Sequence, residues 1–197
     1  MNNKFFDLKK EKQDRIINAA LSVFAKNGYA HASTDEIVRE ASISKGLLFH
    51  YFVSKLGMYQ FLVDYCVRFT ILEFKSDIRT PSSDLFELHR QVIEAGIMIA
   101  RKYPWLVLFL YSAQLESDPE LKAYISEKFD MLRESRESLM GGVLEPASAL
   151  AAGADDITLL LADTYLIEMK RRLIQENFSP DEFRRDMCHL ANVMRQL

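Results

Sequence analysis

The chain is poor in cysteine, glycine and proline, with 2, 7 and 5 in 197 residues. Cys66 and Cys188 lie far apart and form no CxxC, so neither a disulfide framework nor a zinc site is expected. Glycine and proline stand at about half their usual ~7% and ~5%. That is too few for a turn-rich β protein, and composition alone favours helix. Long apolar runs are also missing. The longest, Trp105 to Tyr111, is far short of the ~20 residues that span a bilayer. The opening MNNKFFDLKKEKQ has only a Phe pair for an apolar region and does not read as a signal peptide. A reduced, cytoplasmic protein without membrane association is expected. Hydrophobic residues make up 49% and charged residues 27%, which excludes disorder and fibrous repeats as global descriptions.

Excess positive charge is absent as well. The net charge is −3, which by itself argues against a nucleic-acid binder. Its distribution argues otherwise. Residues 1–57 carry nine Lys/Arg and six Asp/Glu, while residues 58–197 carry sixteen and twenty-two. A small basic head on an acidic body is a pointer, though a weak one, to nucleic acid.

Helical periodicity dominates. Ile16, Ala20, Val23 and Phe24 fall at i, i+4, i+7 and i+8, with Ile17 and Leu21 widening the stripe. Gly28 is the expected stop of a first helix from about Lys9 to Asn27. Ser33-Thr34-Asp35-Glu36 reads as a capping box for a short second helix ending near Ala41. Ser44 is the next N-cap, opening a third helix through Phe52. A long helix follows from Ser54 or Lys55 toward Ile78. Asp84 caps Leu85–Lys102, and Pro104 begins a helix to about Leu115. Ser117-Asp118-Pro119 starts another to about Met140. The glycine-rich stretch Gly141–Gly153 reads as a linker. Asp155 or Asp156 caps a helix to about Asn177, and Ser179-Pro180 starts the last. The expected fold is all-α with about nine helices, without strands, repeats or low-complexity tracts. Two domains are expected: a head over 1–54 and a helical bundle over 55–197.

Residues 33–52 hold two short capped helices joined by a tight turn, the helix-turn-helix arrangement. In that motif the second helix lies in the major groove while the first crosses the backbone. Leu48 and Phe52 would pack inward with Ile37 and Ile43. That leaves Lys45, Gly46, Leu47, Phe49, His50 and Tyr51 facing out, a partly apolar edge that needs cover. A groove supplies cover, since Leu47 or Phe49 can meet thymine methyls. Gly46 permits close backbone approach. Lys45, Lys55 and the N–H groups after Ser33 and Ser44 can hold phosphates.

The run Ile43-Ser44-Lys45-Gly46-Leu47-Leu48-Phe49-His50-Tyr51-Phe52-Val53-Ser54-Lys55 resembles the recognition-helix signature of TetR-type transcriptional repressors. The likeness extends upstream through Phe24–Tyr29 and Ser33–Ile37 and covers roughly residues 12–60. It implies an all-α homodimer whose first three helices bind a double-stranded DNA operator. It further implies that the remaining helices bind a small-molecule inducer and form the dimer. By this resemblance Ser33 and Thr34 contact phosphate, and Lys45, Gly46 and Leu47 open the recognition helix. His50 and Tyr51 fall at base- or phosphate-contacting positions, and Lys55 at a phosphate-contacting one. Three residues depart from the pattern. Ser42 stands for the usual turn glycine, Leu47 for a common Thr and Phe49 for a common Tyr, which makes the reading face more apolar.

Beyond the head, Tyr65, Phe69, Met98, Arg101, Trp105, Phe109 and Met131 are candidate lining for an apolar or aromatic ligand, with Tyr103 and Tyr111 beside them. Plain core is the competing reading. His89, Glu94 and Arg101 are the candidate polar groups of such a pocket. Tyr165, Met169, Leu173, Phe183, Met187, Leu190 and Met194, with Leu159, Leu160 and Leu166, exceed what one helical layer needs. A homodimer through the last two helices would bury the excess, with internal core as the alternative. Gly57 is expected to loosen the joint between head and body. Asp186 and His189 share a helix face, but neither a metal, a cofactor nor an enzyme motif is read from the chain. Two alternatives stay open: a helical DNA-binding module controlled by a protein partner, and a helical enzyme or metal protein.

Overall fold

The computed structural model describes residues 3–82, 84–141, 164–165, 167–175 and 178–194. A single 3₁₀ turn (Asn3–Phe5) precedes α1 (Lys10–His31), α2 (Thr34–Glu40), α3 (Lys45–Phe52), α4 (Lys55–Asp77), α5 (Leu85–Lys102), α6 (Pro104–Gln114) and α7 (Pro119–Gly141). After these come α8, residues 167–174, and α9 (Pro180–Met194). No strand occurs among the described residues, as the low glycine and proline content predicts. The linker beyond Gly141, the cap at Asp155 or Asp156, and Leu159, Leu160 and Leu166 lie outside the described residues.

The helix boundaries follow from the side chains at their ends. Asp84 Oδ1 accepts from the Glu87 N–H at 2.9 Å, and Asp118 Oδ1 accepts from the Glu120 N–H at 2.9 Å. Each satisfies a donor that the first helical turn leaves unpaired. Ser33 Oγ accepts from the Asp35 N–H at 3.2 Å, one residue earlier than the capping-box pattern predicts. Gly28 takes φ +68° and breaks α1, and one further turn runs on to His31. The break frees the Tyr29 N–H, which donates to Glu116 Oε2 at 3.2 Å.

The chain divides into two compact units, Met1–Phe69 with Trp105–Met131 and Thr70–Pro104 with Leu132–Leu197. In the first, Ile16, Ala20, Val23 and Phe24 are buried as their spacing predicts, with Ile37, Leu48, Phe52 and Leu62. Tyr59 joins this core, its ring 5.0 Å from Phe24 and 5.2 Å from Phe109. Ser112 Oγ donates to the Phe24 carbonyl at 3.4 Å.

The second unit has its own core. Ile78, Leu88 and Ala95 form a buried cluster with Phe74 and Val92. Tyr165, Met169, Phe183 and Met187 are buried inside the unit. For these four the internal-core alternative holds over a dimer surface. Arg184 donates to both oxygens of Glu94, at 2.6 and 3.0 Å, tying α9 to α5. No helix among the described residues is long and apolar enough to cross a membrane.

Candidate nucleic-acid interface

Ile37, Leu48 and Phe52 anchor α2 and α3 to the core, each 1% exposed or less. Between the two helices Ser42 stands at φ +51°. A side chain in this left-handed region costs roughly 1–2 kcal/mol relative to the right-handed one. The turn is held against that cost from two sides. The Ile43 N–H donates to the Val38 carbonyl at 3.0 Å. From α1, Arg15 Nε donates to the Ala41 carbonyl at 2.7 Å. Ser44 Oγ then caps α3 by accepting from the Leu47 N–H at 3.2 Å.

On this frame Ser33, Ser44, Lys45, Gly46 and His50 are exposed, and Thr34, Leu47 and Phe49 are half-buried. A Cβ built on Gly46 would meet nothing within 4 Å. The fold itself therefore does not require glycine there, and the space is open to whatever approaches α3 from outside. Lys45 Nζ lies 2.8 Å from Asp35 Oδ1, bridging α3 to the first turn of α2.

Two candidate residues are placed otherwise than the spacing predicts. Tyr51 does not face out; it is 6% exposed. The Phe5 ring stands 5.6 Å from it, and Phe5 also packs on Phe52 at 5.1 Å and Phe61 at 5.6 Å. The Phe pair near the start of the chain was the available signal, for an aromatic pair followed by an amphipathic helix can fold back over it. Lys55 is half-buried, its Nζ 3.2 Å from the Ala30 carbonyl and 4.8 Å above the Tyr29 ring. Burial lowers its ammonium pKa, an effect the charge of Glu116 opposes.

The joint between α3 and α4 is the tightest part of the frame. Val53 stands at φ +66°, ψ −45°, and the Ser54 N–H donates to the Phe52 carbonyl at 2.7 Å. This is a γ-turn of the rare positive-φ kind, and a β-branched residue there is an outlier costing about 1–3 kcal/mol. Ser54 Oγ caps α4 by accepting from the Gly57 N–H at 2.9 Å. A Cβ on Gly57 would come closer to the Phe52 carbonyl oxygen than the 3.0 Å that real Cβ atoms keep. Gly57 therefore serves close approach and does not loosen the joint.

The candidate ligand residues fall in both units. In the first, Phe109 is fully buried against Phe24 and Tyr59. Tyr65 and Phe69 stack at 6.0 Å, Trp105 lies under Lys26 Nζ at 4.7 Å, and Met131 is half-buried. In the second, Met98 is 56% exposed and Arg101 is exposed. His89 is buried in that unit, its ring 4.1 Å from Tyr165. Its Nε2 has no hydrogen-bond partner among the described residues, and burial pushes its pKa down to about 4. Glu94 is engaged by Arg184 and Asp186 by Arg172. Among the described residues no group of three or more His, Cys, Asp or Glu could hold a metal ion.

The stretch that holds these helices resembles known proteins. Residues 16–60 match the family model described as bacterial regulatory proteins, tetR family. The HTH-type transcriptional regulator YuxN of Bacillus subtilis is 43% identical over 56 residues, covering 28% of this chain and 19% of that protein. UidR of Escherichia coli is 41% identical over 49 residues, 25% of each. The chain thus spans a quarter or less of the length of these two relatives. Among solved structures, FadR from Bacillus subtilis in complex with stearoyl-CoA has the same fold. Its TM-score is 0.68 at 17% identity, with 90% of this chain and 96% of that chain covered.

Proposed function

With the match of residues 16–60 to the tetR-family model as premise, we propose that the chain is a dimeric, ligand-responsive transcriptional repressor of the cytoplasm. Residues 1–54 form its DNA-binding domain and residues 55–197 its ligand-binding and dimerisation domain. The observation that carries the reading is the start of α3. Capped by Ser44, it offers Lys45, the bare backbone of Gly46 and His50 to solvent, on a helix buried at Leu48 and Phe52. Lys45 and the capped helix ends of α2 and α3, at Ser33, Thr34 and Ser44, hold phosphates. Gly46, Leu47, Phe49 and His50 meet base edges. Tyr51 acts from inside by shaping α3, and Lys55 reaches phosphate only on leaving Ala30 and Tyr29.

Exposed apolar residues support the dimer. Ile167 and Ile174, 59% and 54% exposed, lie seven apart on one face of α8, and Val193 on α9 is 44% exposed. Two copies joined there present two α3 helices to successive major grooves about 34–36 Å apart on a pseudo-palindrome. An apolar or aromatic ligand acts by preferring the DNA-incompetent form of the dimer, shifting the population by no more than its differential affinity. The acyl chain bound by FadR belongs to that ligand class. Tyr65, Phe69, Met98, Arg101, Trp105, Phe109 and Met131 are the residues proposed to respond to it.

Selection from a pool of random duplexes tests the reading. The expected result is a two-fold symmetric consensus bound with steep salt dependence. A protein that enriches no duplex, or binds every duplex alike at all salt concentrations, overturns it.

A further inference from the structure

The α3–α4 joint has features that neither helix needs for its own folding. Val53 is 73% exposed, so no burial of its side chain offsets its backbone conformation. That conformation is imposed from both sides. Phe52 is 1% exposed, clamped by the Phe5 and Phe61 rings, which fixes the end of α3. On the other side the Met58 N–H donates to the Ser54 carbonyl at 3.0 Å and the Gly57 N–H to Ser54 Oγ, which fixes the start of α4. The Phe52 carbonyl is the shared point. It accepts from the Ser54 N–H and receives the Gly57 backbone where any larger residue would carry a Cβ. A joint closed by a three-residue turn and a backbone-on-backbone seat has little room to bend.

We propose that Gly57 is a positioning residue for DNA binding: the three-residue turn at Val53, seated on the bare backbone of Gly57, holds α3 at one angle to α4. The inference rests on the DNA-binding reading and adds that α3 is aimed by its junction with α4 as well as by the turn before it. Sequence-specific contacts demand one orientation of α3 in the groove. Contacts to phosphate alone tolerate several. A loosened joint therefore lowers specific affinity by the fraction of molecules still correctly aimed and leaves non-specific binding nearly unchanged.

Val53→Gly and Gly57→Ala, made in the full chain, separate aiming from folding. The probes are the duplex that the wild type enriches from a random pool and an unselected duplex of equal length. Glycine adopts positive φ without strain. Val53→Gly keeps the Gly57 seat, so it should raise the melting temperature by about 2–4 °C and leave binding to the selected duplex within about twofold. Gly57→Ala cannot seat on Phe52 and should weaken the selected duplex about tenfold, the aimed fraction falling to roughly a tenth. Its binding to the unselected duplex should stay within about twofold. If Gly57→Ala lacks a cooperative melt, the double variant Val53→Gly/Gly57→Ala, relieved of the strain at 53, carries the test. A residue that merely stabilises the fold would regain specific affinity when stability is regained, whereas a seat lost at 57 stays lost. Gly57→Ala or the double variant with unchanged specific affinity overturns the positioning role. A wild type that enriches no duplex overturns the DNA-binding reading and the positioning role with it.

Discussion

Lys45 and Asp35 form an ion pair of 2.8 Å between the first turns of α3 and α2, both side chains more than half exposed. A phosphate approaching Lys45 must displace a carboxylate already there, and that carboxylate also repels the DNA. Asp35→Asn should therefore tighten binding to every duplex, by up to about fivefold given the usual worth of an exposed pair. Anisotropy titrations on unselected DNA measure this directly. Equal or weaker binding by Asp35→Asn would show that Lys45 does not meet phosphate.

Lys45→Ala and Leu47→Ala should fail in different ways. Loss of Lys45 weakens all sequences and reduces the salt slope by about one. Loss of Leu47 redistributes preference among bases and leaves the slope alone. Repeating the random-duplex selection with each variant distinguishes them. A Leu47→Ala consensus identical to the wild type would remove Leu47 from the base-reading set.

Phe5 is fully buried against Tyr51, Phe52 and Phe61. Truncation to alanine should cost about 3–5 kcal/mol and expose Tyr51 on α3. Denaturant unfolding gives the first quantity and Tyr51 solvent accessibility the second. A loss below 1 kcal/mol would mean the initial 3₁₀ turn is not docked in solution.

His89 makes the second unit sensitive to acid. In the folded protein its imidazole stays neutral down to about pH 4, whereas in the unfolded chain it takes up a proton below about 6.5. Stability from this residue is complete above pH 6.5 and declines toward pH 4, by at most about 1.4 kcal/mol per pH unit. His89→Phe keeps an aromatic ring against Tyr165 and removes the proton. Its melting temperature should fall less steeply than the wild type between pH 6.5 and 4. Parallel curves for the two proteins would refute the assignment.

The helices and their ends were legible because each is written locally. Ser44, Asp84 and Asp118 cap where their positions predict, and Gly28 breaks α1 where a stop was expected. Ser42, flagged as a departure from the usual turn glycine, does take positive φ. The burial of Tyr51 is not legible in the sequence, because its cover comes from Phe5, 46 positions earlier, and helical periodicity carries no information about such a partner. The role of Gly57 is hidden for a related reason. Glycine signals freedom or close approach equally well, and only the Phe52 carbonyl decides between them. Val53 carried no signal at all, since nothing about a valine announces a positive φ.

The bond from the Tyr29 N–H to Glu116 spans 87 positions. A growing polypeptide leaves the ribosome at about 5–20 residues per second, so Glu116 emerges on the order of ten seconds after Tyr29. Throughout that interval the interrupted first helix lacks its acceptor, and Phe24 lacks Phe109 and Ser112. The head of this protein is thus not a module finished at birth. It is completed by a segment translated well after it, and a message cut short before that segment would yield a head without its last supports.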